Sequence, residues 1–252
     1  MLSFKQLIRL VGLNLQALFD LRHYPRFQKE LGNFRKLGGR VTALYPVLGD
    51  YRDSAGSMSG HYFHQDLLVA QKIFDHNPKS HLDIGSRIDG FVAHVAAFRA
   101  ITVLDIRPVE SSSKNIQFAQ ADLMNPDSVS GLTSDSVSCL HVLEHFGLGR
   151  YGDQIDPSGH LKGFANLARL LSPGGRFYLS FPIGRERVEF NAHRVIDPRS
   201  PLLWDSGNVQ LSLIDFAFVD DEGLLHERTN VDEAVERNMN YGCGIYTFER
   251  VG

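Results

Sequence analysis

The chain has 252 residues, 43% of them hydrophobic and 22% charged, with a formal net charge of −3. Such a chain suits one or two globular domains around a sizeable core. Its charge excludes bulk electrostatic attraction to nucleic acid, and two cysteines, Cys139 and Cys243, exclude a disulfide framework. A reducing, cytoplasmic setting fits that cysteine usage.

Residues 1–20 carry Phe4, Leu7, Ile8, Val11, Leu15, Leu18 and Phe19 at helical spacing, with Lys5 and Arg9 among them. The apolar run 10–19 is too short to span a bilayer, and no small-residue cleavage site follows it. An amphipathic helix is expected, either packed on protein or making a weak contact with a membrane surface. Residues 23–59 mix glycine, proline, aromatic and charged residues, and predict an irregular connection or cap. The expected division is therefore 1–59 as N-terminal helix and cap, and 60–252 as the main domain.

Residues 61–76 place Phe63, Leu67, Leu68, Ala70, Ile73 and Phe74 on a helical stripe. An alternating rhythm follows. Residues 81–84 read as a buried strand closed by Gly85, and 91–98 as a helix. Residues 100–104 form a second strand ending at Asp105, 116–118 a third and 136–140 a fourth. Residues 161–171 read as a helix that stops before Ser172-Pro173-Gly174-Gly175, and 176–181 as a fifth strand. Residues 244–248 form a further strand, with 223–226 as a candidate partner. Strands alternating with helices predict a mainly parallel α/β sheet covered on both faces.

In such sheets ligands sit outside the carboxyl ends of the strands, where strand order reverses. The first strand ends Asp83-Ile84-Gly85-Ser86-Arg87, and Gly85 lets backbone approach a ligand without a Cβ in the way. Asp105, about twenty residues on, is placed to accept hydrogen bonds from ribose hydroxyls. Asp122, after the third strand, is placed to accept from an exocyclic adenine amine.

These residues resemble the class I S-adenosylmethionine-dependent methyltransferases over residues 80–181, together with His141-Val142-Leu143-Glu144-His145 and Leu171-Ser172-Pro173-Gly174-Gly175. The resemblance implies a Rossmann-like, doubly wound sheet, mostly parallel with an antiparallel C-terminal strand. It implies S-adenosylmethionine as cofactor. Asp83, Gly85, Ser86 and Arg87 would flank its methionine part, Asp105 and Ile106 its ribose, and Asp122 and Leu123 its adenine, with His141 after the fourth strand. Ser86 and Arg87 depart from the small residues usual in that loop. Taken with residues 60–67 and 146–153, that loop is similar to the domain-of-unknown-function 268 family.

Methyl transfer to a hydroxyl needs a base close to the methyl donor. His145, His193 and Asp153 are the catalytic candidates, Asp153 either orienting a histidine or acting itself. His61, Tyr62 and Gln65 at the start of the helix, with Asn191 and Arg194 beyond the fifth strand, are candidate substrate contacts. The expected acceptor is a small polar molecule, with a sugar or glycan hydroxyl as the choice. Two rival readings stand beside this one. A nicotinamide-dependent oxidoreductase shares the separation of Gly85 and Asp105, but Arg87 and Asp83 are unsuited to a pyrophosphate. A non-catalytic binding module would keep the fold alone. The string His141-x-x-Glu144-His145 matches an inverted zinc-protease pattern. It follows a strand directly, so both histidines are not expected on one helical face, and no metal site is expected.

Overall fold

The computed structural model describes residues 15–251, so the stripe expected over residues 1–20 lies outside the described residues except for its last turn. The chain divides into two compact units, residues 1–57 and 58–252. In the first, helices α1 (Leu15–Asp20) and α2 (Tyr24–Lys36) are regular. That corrects the irregular reading of residues 23–59 over 24–36 alone; beyond Lys36 the segment holds only turns, bends and the short helical turn Gly49–Tyr51. Pro25 sits in the first turn of α2, and Phe27 and Leu31, four apart, are half-buried on one side of it. Asp20 is held by Arg52 through bonds of 2.8 and 3.3 Å.

The second unit is built on strands β1 (Leu82–Ile84), β2 (Ile101–Asp105), β3 (Ile116–Gln120), β4 (Ser134–Leu140) and β5 (Leu171–Ile183). A short hairpin of β6 (Arg187–Glu189) and β7 (His193–Val195) follows, then β8 (Gln210–Val219), β9 (Leu225–His226) and β10 (Gly242–Val251). The main sheet runs β3-β2-β1-β4-β5-β10-β8-β9. Strands β3 to β5 pair in parallel, and β10 lies antiparallel between β5 and β8. The fold is thus a doubly wound, mostly parallel α/β sheet with an antiparallel C-terminal strand.

Two details differ from expectation. The segment containing residues 225–226 pairs with β8 rather than with β10, because the ten-residue β8 takes that edge of β10. The fifth strand starts at Leu171, and residues 172–175 bulge out between its pairings with Ser134 and Ser136.

Helix α3 (His61–His76) and the short α4 (Ala93–Ala96) cover one face. Leu68, Val69, Ile73, Phe91 and Val95 pack there over Ile101, Val103, Leu140 and Tyr178. Helix α5 (Gly159–Arg169) covers the other face, setting Phe164 and Leu167 against Val137, Cys139, Phe177, Leu179 and Phe181. Parallel central strands are covered on both faces, so β4 is buried at every position but Asp135, and β5 is buried from Phe177 onward. Strand order reverses between β1 and β4, so their carboxyl ends open the crevice that positions the site. No helix among the described residues is long and apolar enough to cross a membrane.

Candidate cofactor and active site

The loop after β1 is held from below. Asp83 is fully buried. Its carboxylate accepts from the Ser86 amide at 3.1 Å, the Ser86 hydroxyl at 2.7 Å and the Ser138 hydroxyl at 2.6 Å. His81 extends this network, 3.1 Å from the same Ser138 hydroxyl and 2.8 Å from Ser136. Burial disfavours charge on both groups, pushing Asp83 up to about 6 and His81 down to about 3. Asp83 lines neither cavity of the crevice. In this structure it shapes the loop through Ser86 instead of facing the crevice.

Gly85 turns the loop at φ +64°, and a Cβ there would lie 2.9 Å from Val142 Cγ1. Only glycine meets both demands without strain. Its amide donates to the Leu104 carbonyl at 2.8 Å, fixing the loop to the end of β2. Arg87 projects into solvent and pairs with Asp89 at 3.0 Å.

A space of about 540 Å³, counted with its open mouth, lies where β1 to β4 end. Gly85, Asp105, Ile106, Asp122, Leu123 and His141 all line it, so six of the sequence-predicted cofactor residues converge. Ile84, Leu104, Ala121 and Val142 give it apolar walls. Asp105 stands at the end of β2, but Arg107 grips it in a bidentate pair at 3.0 and 2.7 Å. Arg107 was not anticipated; a cation two residues past a strand-end acid was the available signal. Asp122 accepts from the Met124 amide at 2.9 Å, which turns the chain under the cavity.

A wider, more polar cleft of about 1460 Å³, counted with its open mouth, adjoins it. Tyr62, Ser86, Arg87, Glu144, Arg150, His193 and Tyr241 line it, and Gly85, Asp105, His141 and His145 border both spaces. The Nδ1–H of His145 donates to the Ala192 carbonyl at 2.7 Å, leaving Nε2 with a lone pair, 3.8 Å from a Glu144 oxygen. Burial, and Arg150 beside it, lower its pKa despite the opposing Glu144 carboxylate. His193 starts β7 with its ring 5.1 Å from that of Tyr241 and its Nε2 3.5 Å from Glu189. Burial lowers its pKa as well.

Four other candidates sit differently from their expected roles. Asp153 is hydrogen-bonded to neither histidine. Its oxygens accept the amides of Gly147, Gly149 and Tyr151 at 2.8, 3.2 and 3.2 Å, knotting that loop. Arg194 is buried and donates to the carbonyls of Glu144, Phe146 and Pro157, so it braces the loop rather than meeting solvent. Gln65 is buried beneath the cleft, accepting from Ser180 at 2.5 Å and donating to Asp66 at 3.1 Å. Asn191 is exposed at the β6–β7 turn with φ +65° and lines neither space.

His141 leaves β4 with φ +55° and is buried. Its Nδ1–H donates to Glu144 at 2.9 Å. Burial opposes its charge, yet Cys243 and Glu144 outweigh that and hold its pKa well above the ordinary value. The rings of His61 and Tyr62 lie 5.2 and 5.0 Å from it. His141 and His145 do not lie on one helix: a 3-residue turn, Leu143–His145, follows the strand end.

Solved structures similar in architecture to this chain include S-adenosylmethionine-dependent methyltransferases. A Galdieria sulphuraria protein, provisionally assigned as a sarcosine dimethylglycine methyltransferase, is 15% identical. The alignment covers 89% of this chain and 98% of that one, with a TM-score of 0.52. N-methyltransferase NodS from Bradyrhizobium japonicum WM9, solved with S-adenosyl-L-homocysteine, is 14% identical over 76% and 88% of the two chains, with a TM-score of 0.50. The [4+2]-cyclase SpnF is 14% identical over 74% and 81%, with a TM-score of 0.51. No curated protein matches the chain in sequence. These likenesses define a class I methyltransferase fold. Within it, residues 107–203 match the family described as "Caenorhabditis protein of unknown function, DUF268".

Proposed function

We propose that the chain is an S-adenosylmethionine-dependent methyltransferase acting on a small polar acceptor, with a sugar or glycan hydroxyl as the preferred class. The observation that carries this reading is the convergence of Gly85, Asp105, Asp122 and His141, from the ends of four strands, on one cavity. Those residues fit the cofactor: a carboxylate for the ribose, apolar walls with Asp122 and Leu123 for adenine, and a glycine turn for the methionine end. When bound, S-adenosylmethionine supplies the methyl group and a neutral thioether leaving group. The polar cleft beside it, lined by Glu144, Arg150, His193 and Tyr241, suits a hydroxylated acceptor.

His145 borders both spaces and is our choice of base. Its lowered pKa keeps it neutral near pH 7, and Ala192 fixes the tautomer with Nε2 free. With a hydroxyl acceptor in the cleft, Nε2 would take the O–H proton while the bound cofactor supplied the methyl group and kept its sulfur as a thioether. Calorimetry tests the reading. S-adenosylhomocysteine should bind, NAD should not, and Asp105→Ala should weaken the binding. Binding of NAD alone, or of neither ligand, would overturn it. Incubation with methyl-labelled cofactor and metabolite pools then identifies the acceptor from the product that gains label.

A further inference from the structure

The crevice holds a second constellation, which shares only His141 with the cofactor cavity. His61 opens α3, His141 follows β4, and Cys243 lies at the start of β10. One donor atom from each lies within 4.8 Å of the others. Both imidazoles have one nitrogen committed elsewhere. The Nε2–H of His61 donates to the Tyr241 carbonyl at 3.1 Å, which leaves Nδ1 as a lone-pair donor. The Nδ1–H of His141 donates to Glu144 at 2.9 Å, so Nε2 is the nitrogen that can ligate once a metal displaces its proton.

That Nε2 is buried beside the Cys243 thiol, with no partner at ordinary hydrogen-bond geometry. A buried polar atom left unpaired is costly, so native proteins rarely keep one without a use. Carboxylate–histidine and carbonyl–histidine pairs are the usual way a protein orients imidazoles toward a metal. The Cys243 thiol is buried, and its contacts to Gln65 and Gly244 oxygens, at 3.9 and 3.7 Å, are long. Its backbone is fixed by β5 on one side and β8 on the other.

We infer that His61, His141 and Cys243 form a binding site for a zinc-type transition-metal ion, with Glu144 and the Tyr241 carbonyl orienting the two imidazoles. Two nitrogens and one sulfur are a donor set that suits zinc. Tetrahedral zinc, with bonds of about 2.0–2.3 Å, draws its donors to ~3.3–3.7 Å of one another. From 4.8 Å, the donor atoms therefore close by up to ~1.5 Å on binding. Cys243 loses its proton on binding, and the thiolate with the nearby Glu144 carboxylate balances the divalent charge. Three protein donors leave one tetrahedral position, and His141, Glu144 and Tyr241 also line the polar cleft. The site thus lies away from the zinc-protease string: His141 is shared, but His61 and Cys243 replace His145.

The test uses the full chain, stripped with a chelator and titrated with cobalt(II), then with zinc(II). The expected result is one cobalt per chain with thiolate-to-cobalt charge-transfer absorption, displaced by one equivalent of zinc. Cys243→Ser should abolish that absorption, and Glu144→Gln should weaken metal binding by about 10–100-fold. Absence of stoichiometric binding by the unmodified chain would overturn the inference, and this arm needs no variant to fold. If Cys243→Ser does not fold, His61→Gln decides. His61 is half-buried at a helix start and tolerates exchange. Folded His61→Gln that keeps full cobalt affinity and an unchanged spectrum would also overturn the site. Binding of S-adenosylhomocysteine is scored separately, so the fate of the metal site and that of the cofactor site are distinguishable.

Discussion

Asp83→Asn isolates the energetic role of the carboxylate beneath the glycine loop. Burial raises Asp83 from 3.8 to about 6, despite three hydrogen bonds that favour the charged form. Since the folded-state value is the higher one, the stability this residue supplies is complete below about pH 3.8. It is lost as pH rises through about 6. At about 1.4 kcal/mol per pH unit, the gap corresponds to ~3 kcal/mol. Asparagine preserves the geometry. Its oxygen accepts the Ser86 amide while its NH2 donates to the Ser86 and Ser138 hydroxyls, which serve equally as acceptors. Urea unfolding from pH 4 to 7.5, followed by the single tryptophan, Trp204, measures both proteins. Every other titrating group is common to the two, so the difference between them is read alone. The unmodified chain should lose up to ~3 kcal/mol relative to Asp83→Asn across that range. Parallel pH profiles would refute the reasoning, and a relative gain by the unmodified chain as pH rises would place the ionised carboxylate among stabilising groups.

Three further outcomes are expected. Gly85→Ala forces a methyl group against Val142 at positive φ, which should cost ~1–3 kcal/mol in urea unfolding and abolish S-adenosylhomocysteine binding by calorimetry. Arg107→Ala releases Asp105 for a ribose. The pair is half exposed and worth ~0–1 kcal/mol, so affinity for S-adenosylhomocysteine should rise by at most about fivefold; a fall would mean that Arg107 itself holds the ligand. His145→Ala should retain cofactor binding and lose turnover by about 10²–10⁴-fold, measured as methyl label transferred.

What the sequence reveals and what it hides follow a physical division. Helix α3 is legible to the residue because its apolar stripe is periodic and Gly60 and Asn77 bracket it with positive φ. Gly85, Asp105 and Asp122 are legible because strand ends recur at regular spacing in a parallel sheet. The bracing contacts of Gln65 and Arg194 are not legible, since a polar side chain reads alike whether it meets a ligand or a buried protein partner. Only tertiary packing decides that. The strand β8 is obscured because its exposed first half, residues 210–215, alternates weakly before the buried Phe216–Val219. The His61–His141–Cys243 cluster is invisible in sequence. Its members come from a helix start, a strand end and a strand start, brought together only by the pairing of β10 with β5 and by α3 covering the sheet.

The place of β10 has a consequence for how this chain is made. Synthesis delivers β1 to β5 first, and β8 well before residues 242–251. Yet β8 reaches the sheet only through β10, which bonds to it on one side and to β5 on the other. A nascent chain that stops short of residue 242 therefore carries an open β5 edge and a detached β8 hairpin, both competent to pair with foreign strands. Joining β8 to the sheet waits on residues 242–251, and the same segment brings Cys243 to His61 and His141.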